Sequence, residues 1–254
     1  MTRVIKIGGR PQSDPSLAAT LAAGWSRTNG GLVLIHGGGD EVSALQAALG
    51  GGATFVDGRR VTTEKDIDLV RMALSGSANK RLVSTLVECG IDAVGLSGED
   101  AALIAASPMD AKRLGFVGTP TTVNVAFLRH LLSGGYLPVI SPVSRDGTGS
   151  LGAALNVNGD DAAAAIAVAL GATELLLVAD VPGVMRDGQV IPRLTPEDAR
   201  RLADDGTVVG GMRAKLEAGL SAVAGGVPLV RISDIAAIAD PSRGTALRTI
   251  GELS

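Results

Sequence analysis

Short apolar runs alternate along the chain with longer segments whose apolar residues recur every three or four positions. The runs Arg3–Ile7, Leu32–Ile35, Ala93–Leu96, Leu137–Ser141, Leu175–Val178 and Leu229–Ile232 read as strands. Between them the segments Leu17–Arg27, Val42–Leu49, Glu64–Glu88, Val123–Leu132, Asp160–Leu170, Pro196–Asp204 and Met212–Val223 read as helices. Strand and helix in alternation predict an α/β fold: an open, mainly parallel sheet covered by helices on both faces. Continuously apolar strands such as ELLLVAD fit a sheet buried twice. Four segments with Asp-Gly or Gly turns between short β-prone pieces, TFVDGRRVT, AASPMDAKRLGFVG, SPVSRDGTGSLG and VMRDGQVIP, read as hairpins. No fixed-period repeat or low-complexity linker divides the chain, and Gly171 is the best division between an N-terminal and a C-terminal lobe.

In open α/β sheets, ligands collect beyond the carboxyl ends of the strands. Those ends read KIGGR, IHGGGD, GLSGED, ISPVSRDG, VADVPG and RISD, so glycines, acids and a lysine gather where such a fold does its chemistry. The run Gly37-Gly38-Gly39 behind His36 admits two readings. It is a tight strand-to-helix turn, or a bare backbone whose free N–H groups face an anion at a helix N-terminus. KIGG repeats the pattern, with Lys6 inside an apolar run. Only five lysines stand against eighteen arginines, so that one calls for an account: it snorkels to solvent, or it meets a phosphoryl group as a compact charge.

LNVNGDD puts Asn156 and Asn158 before a helix whose start is marked by Asp160, ordinarily a cap. Two further asparagines are more polar groups than a cap requires. GGMRAK places Lys215 in the first turns of another helix, as a solvated lysine or a second ligand for an anion.

Composition narrows the function classes. Of 254 residues 46% are hydrophobic and the net charge is −3, a globular balance with no general pull toward nucleic acid or anionic membrane. Aromatics at 2% leave few platforms for stacking bases. The most apolar tract, residues 162–179, is broken by Gly171, Thr173 and Glu174 and falls short of the ~20 apolar residues of a membrane span. With no signal-peptide pattern behind Met1, a soluble cytoplasmic protein is expected. A single Cys89, expected in the core, and two distant histidines, His36 and His130, support neither a disulfide nor a zinc site. No GxxxxGK[ST] occurs, and the one GxGxxG, Gly147 to Gly152, follows a turn and opens no helix, so it reads as a hairpin tip.

Taken in order, KIGG, HGGG, GRRVT, NVNGD, ADVPG, GGMRAK and RGT resemble the amino acid kinase family along nearly the whole chain. Within it, GRRVTTEKDIDLVRMALSGSANKRLV is similar to the members that phosphorylate N-acetyl-L-glutamate in arginine biosynthesis. The resemblance implies a three-layer αβα sandwich around a mainly parallel eight-stranded sheet. It implies an acyl amino acid on a lobe spanning residues 1–170 and ATP on a lobe spanning 171–254, with Mg2+ held mainly by the nucleotide's phosphates.

Residue by residue, Lys6 and Lys215 match the lysines that neutralise the transferring phosphoryl group, and Asp160 the acid that orients both. Gly8, Gly9, Gly38 and Gly39 match the amides around phosphate and substrate. Arg60 matches the arginine that grips an α-carboxylate, and Asn156 and Asn158 the substrate-side asparagines. Asp180, Val181, Gly183 and Gly211 fall in the nucleotide-binding segments. His36 is expected to be structural.

Asp40 and Arg10 depart from the family pattern, where proline and asparagine are frequent. Arginine-inhibited members carry an N-terminal helix that interlocks dimers; this chain starts two residues before its first strand, so a homodimer insensitive to arginine is expected. Adjacent Arg59 and Arg60 leave open a relative that acts on aminoadipate or glutamate attached to an acidic carrier protein, and N-acylated aminoadipate is a further alternative acceptor. A non-catalytic nucleotide-binding relative is disfavoured because Lys6, Asp160 and Lys215 are all present.

Overall fold

The computed structural model describes residues 2–56, 58–151 and 153–248. β1 (Arg3–Ile7) leads through α1 (Leu17–Arg27) to β2 (Leu32–His36), and α2 (Gly39–Ala48) starts on the glycines themselves rather than at Val42. The hairpin of β3 (Phe55–Val56) and β4 (Arg59–Arg60) precedes α3 (Glu64–Val70). That helix continues through a π-helical stretch, Arg71–Ala78, into α4 (Asn79–Glu88), so the single 25-residue segment read from the sequence is one helical run with a widened middle. Then come β5 (Ala93–Gly98), β6 (Ile104–Pro108), α5 (Ala111–Leu114), β7 (Val117–Val123), α6 (Val125–Ser133) and β8 (Leu137–Asp146). β9 (Ala154–Val157) feeds α7 (Gly159–Leu170), and β10 (Glu174–Val178) follows. The last part holds the β11 (Met185–Arg186) and β12 (Gln189–Val190) hairpin, β13 (Arg193–Leu194), α8 (Pro196–Asp204), α9 (Gly210–Ala224), β14 (Val230–Ser233) and β15 (Thr245–Leu247).

Local chemistry sets these boundaries. α3 and α8 each begin with a reciprocal capping box, Thr63 with Asp66 and Thr195 with Asp198, which satisfies two otherwise unpaired backbone donors per helix. α7 ends where Gly171 turns left-handed at φ 63°. The four hairpin segments are all antiparallel pairs, with α5 forming the turn between β6 and β7. Gly152, the last glycine of the GxGxxG, lies outside the described residues.

The main sheet runs β13-β15-β14-β10-β1-β2-β8-β6-β7-β9, with β5 also on β8. Among the described residues it contains eleven strands rather than eight, because short segments such as β13, β15 and β9 pair onto its margins. Most pairings are parallel, and helices cover both faces: the expected α/β sandwich. Strand alternation sorts side chains between two cores. Val4, Val33, Ile35, Leu175 and Leu177 join the core under α7 and α9, while Ile5, Ile7, Leu34 and Leu176 join the one under α1 and α4. Lys6, even-numbered like Val4, therefore lies on the α7–α9 side.

Register fixes the rest. Ile7 stands opposite His36 on one side and Val178 on the other, so the turns after β1, β2 and β10 leave the sheet side by side. No helix among the described residues is long and apolar enough to cross a membrane. Cys89 is exposed, not in the core: it sits one residue past α4, beyond the buried Leu86.

Candidate active site

Three ionised side chains meet under the strand ends. Lys6 comes from β1, Asp160 from the first turn of α7 and Lys215 from the second turn of α9. Lys6 Nζ lies 2.9 Å from Asp160 Oδ1, and Lys215 Nζ lies 3.1 and 3.2 Å from Oδ1 and Oδ2. All three are buried. Asp160 is not the cap of α7. Asn158 is: its Oδ1 accepts the Asp160 N–H at 2.8 Å, which leaves the Asp160 carboxylate to turn inward. Burial alone would raise the Asp160 pKa, but Lys6 and Lys215 outweigh it and hold the group below its ordinary value. Burial, then repulsion from Lys6, lowers Lys215 to about 8 against the pull of Asp160. The trio retains one net positive charge in a largely dry place, a preorganised seat for an anion.

Glycine makes room for this packing. A Cβ on Gly159 would stand 3.1 Å from Lys6 Cε. In the three-glycine turn the protein's own packing demands glycine at one position: Gly38 has φ 154°, and a Cβ there would meet Leu74 Cδ2 at 2.7 Å. At Gly8, Gly9, Gly37 and Gly39 a Cβ would meet nothing closer than 3.7 Å. The two glycine turns are tied together. Gln12 Nε2 donates to Gly8 O at 3.1 Å and Gly37 O at 2.8 Å, and Gly37 N–H donates to Ile7 O at 2.8 Å. His36 is wholly buried, and burial lowers its pKa, so it is neutral at pH 7. Nδ1–H donates to Gly37 O at 2.8 Å and Nε2 accepts from Asn79 Nδ2 at 3.1 Å, a structural role as expected.

Two cavities flank the trio. The first, of about 470 Å³, has Lys6 and Asp160 in its wall with Gly38, Gly39, Arg60, Asn156 and Asn158. Arg60 is braced there: Nη1 donates to Gln46 Oε1 at 2.6 Å, and Nη2 donates to Gly39 O and Ser43 Oγ at 2.8 Å. Its guanidinium stands 4.9 Å from the centre of the Phe55 ring. Burial lowers the Arg60 pKa, while the charges of Asp66 and Asp40 oppose that and favour its protonated form. Asp40, in the first turn of α2, thus has an account: it faces both a helix N-terminus and an arginine. Asn156 Nδ2 donates to Thr62 Oγ1 at 2.9 Å.

The second cavity, of about 570 Å³, has Lys215 in its wall with Gly8, Gly9, Asp180, Val181 and Gly211. Gly183 stands apart. It lines neither cavity, and its φ of 159° with a Cβ position 2.7 Å from Val190 Cγ1 marks a packing role behind the wall. Among the described residues no three His, Cys, Asp or Glu side chains are grouped to hold a metal ion.

Sequence reasoning missed several contributors. Gln12 follows β1 in a 3-10 turn and Asn79 starts α4; neither position carries a pattern that separates it from a surface amide. Arg59 pairs with Asp161 at 2.9 Å and so does not form a free basic rim.

A model of the amino acid kinase family matches residues 1–234. The acetylglutamate kinase of Chloroflexus aurantiacus is 42% identical over 253 residues, covering 99% of this chain and 98% of its own. That of Geobacillus kaustophilus is 42% identical over 232 residues, covering 91% and 89%. Among solved structures, smu.665 of Streptococcus mutans matches at a TM-score of 0.86 and 28% identity, covering 97% of this chain and 98% of that one.

Proposed function

Since the chain belongs to the amino acid kinase family, we propose that it transfers the γ-phosphoryl group of ATP to the side-chain carboxylate of N-acetyl-L-glutamate. The product is N-acetyl-L-glutamyl 5-phosphate, an intermediate of arginine biosynthesis, made by a cytoplasmic enzyme. One observation carries the reading: the Lys6–Asp160–Lys215 trio sits between two cavities, with one lysine in each wall.

The acyl amino acid takes the first cavity and the nucleotide the second. Arg60 holds the α-carboxylate, in the planar two-pronged manner that suits guanidinium. Asn156 and Asn158 bind the acceptor from the β9–α7 corner, and the backbones of Gly38 and Gly39 face it from α2. Gly8 and Gly9 line the phosphate path, while Asp180, Val181 and Gly211 line the nucleotide side. Residues 1–170 supply most of the acceptor wall, and residues 171–254 most of the nucleotide wall.

The attacking carboxylate is ionised at neutral pH and needs no general base. Positioning and charge stabilisation are then the main catalytic task. Lys6 and Lys215 meet the phosphoryl oxygens from opposite walls, and Asp160 fixes the distance between them. Truncating either lysine removes one preorganised donor and lowers kcat on the order of 10²–10³. Mg2+ arrives on the nucleotide and supplies charge neutralisation at its phosphates; the nearby acids Asp160 and Asp180 are already paired with cations, which suits an ion that brings its own ligands.

Arg59 is engaged by Asp161, which favours a free acyl amino acid over one presented on an acidic carrier. The expected assembly is a homodimer, for which exposed Met72 and Val87 on the Glu64–Glu88 run supply apolar surface.

Hydroxylamine trapping tests the reaction: ATP with N-acetyl-L-glutamate yields a hydroxamate. Absence of hydroxamate with every N-acylated glutamate or aminoadipate refutes the kinase reading.

A further inference from the structure

Arg10 is the first side chain beyond the Gly8-Gly9 turn of β1, and it reaches across to the loop after β10. Its Nη1 donates to Asp180 Oδ2 at 2.8 Å. β1 and β10 are adjacent parallel strands in register, so these loops leave the sheet together, and Arg10 and Asp180 share the wall of the second cavity with Lys215. We propose that Arg10 is a third cationic ligand for the nucleotide's polyphosphate, aimed into the second cavity by Asp180. The inference rests on the nucleotide reading of that cavity.

Four observations carry it. First, the buried trio offers one net positive charge, whereas a triphosphate tail carries several negative ones. Asp180, an acid in the wall of an anion cavity, adds repulsion that the Arg10 guanidinium beside it offsets.

Second, Arg10 gives Asp180 one nitrogen. The guanidinium fork has five N–H donors, so it can keep Asp180 and take phosphate oxygens with the others.

Third, the Arg10 and Asp180 side chains are 78% and 53% exposed. A pair so solvated is weakly held and screened by salt, which makes it poor evidence for a stabilising strut. By contrast, Arg59 and Asp161 at 23% each, and Arg71 with two nitrogens on Glu99, have the burial or the bidentate geometry of structural pairs.

Fourth, the turn that carries Arg10 is itself fixed. Gln12 holds Gly8 O and Gly37 O, and Pro11 restrains the backbone, so the guanidinium departs from a rigid base.

The test measures binding of AMP-PNP, ADP and adenosine, the last by displacement, to the full chain and to its R10A and R10K variants. R10A is expected to weaken AMP-PNP and ADP about tenfold while leaving adenosine within about twofold, because the lost contact is charge-assisted and made to phosphate alone. R10K keeps the charge without the fork and recovers part of the loss. In the hydroxamate assay the R10A defect falls on KM for ATP, with KM for the acyl amino acid unmoved. Equal affinity of R10A and wild type for AMP-PNP overturns the proposal, as does an equal loss for adenosine, which marks a general distortion of the pocket. Failure of the wild type to bind AMP-PNP, ADP and adenosine alike overturns instead the nucleotide reading of the cavity.

Discussion

Replacing Asp160 by Asn keeps the side chain's shape and deletes the negative charge that Lys6 and Lys215 share. Breaking a buried ion pair from one side typically costs about 3–5 kcal/mol, and the geometry here allows a closer figure. At pH 7 a lysine at its ordinary 10.5 releases its proton at a cost of about 5 kcal/mol. Wild-type Lys215, already lowered to about 8, carries about 3 kcal/mol of that cost in the folded state. Without Asp160 its pKa falls further and the proton leaves at neutral pH, adding about 1.4 kcal/mol. Lys6 loses a charge-assisted bond of 2.9 Å, worth about 1.5–3 kcal/mol. The variant is therefore about 3–4 kcal/mol less stable at pH 7.

The pH dependence separates charge from shape. A lysine whose folded pKa is depressed destabilises fully below that pKa, and the cost is relieved as pH rises toward the unfolded value. Wild type gains this relief from about 8 upward, and D160N from a lower pH. The deficit of the variant thus narrows by up to about 1.4 kcal/mol per pH unit below 8 and levels off above it. Asp160 itself, held below 3.8, contributes fully above that value and loses its contribution as pH falls through its folded pKa, so the comparison belongs above about pH 5. Urea titrations of both proteins from about pH 6 to 9 give the difference from the midpoints at a common slope. A deficit under about 1 kcal/mol at pH 7, or one that stays flat from about pH 6 to 8, refutes the reasoning.

Gly159→Ala improves helix propensity by about 0.5–1 kcal/mol but puts a Cβ 3.1 Å from Lys6 Cε. Stability should hold while kcat drops about tenfold or more from the displaced ammonium; unaltered turnover would show that Lys6 has slack. For wild type, kcat/KM for ATP should decline as pH rises past about 8, where Lys215 in the free enzyme loses its proton. Lys215→Arg should remove that limb whatever its absolute rate, and a wild-type profile level to about pH 9.5 would contradict the assignment. His36 should titrate below its ordinary range in nitrogen NMR, with its proton on Nδ1 at about pH 7, because burial lowers its pKa and both ring nitrogens are engaged. Titration of His36 near its ordinary value would overturn that picture.

Much of the site was legible because its physics is local. A lysine inside an apolar strand is costly unless something receives its charge, and strand alternation then fixes which face it takes, so Lys6 could be singled out before any contact was known. Strand ends could be found from periodicity and glycine, and parallel register does the rest by bringing the β1, β2 and β10 turns to one level. Other features depend on distant packing. Asn158 and Asp160 are both competent caps two residues apart, and the choice between them is made by Lys6 and Lys215, which arrive from strands and helices far along the chain. β9 is four residues long and owes its place to β7 and β8, so no periodicity announces it.

Glycine shows the same division most sharply. Gly38 and Gly183 are both forced by positive φ and by a neighbour 2.7 Å from the missing Cβ, yet one lines a cavity and the other lies behind a wall. Gly8, Gly9 and Gly39 are under no such steric demand from the chain itself. Each glycine still raises the entropy cost of folding by about 0.5–1 kcal/mol relative to alanine. Glycines that the fold does not require, gathered around a buried pair of lysines, are best explained by something outside the chain that must approach the backbone. A polyphosphate passing between the two glycine turns meets that description, and the same turns end in Arg10 on one side and Asp40 on the other.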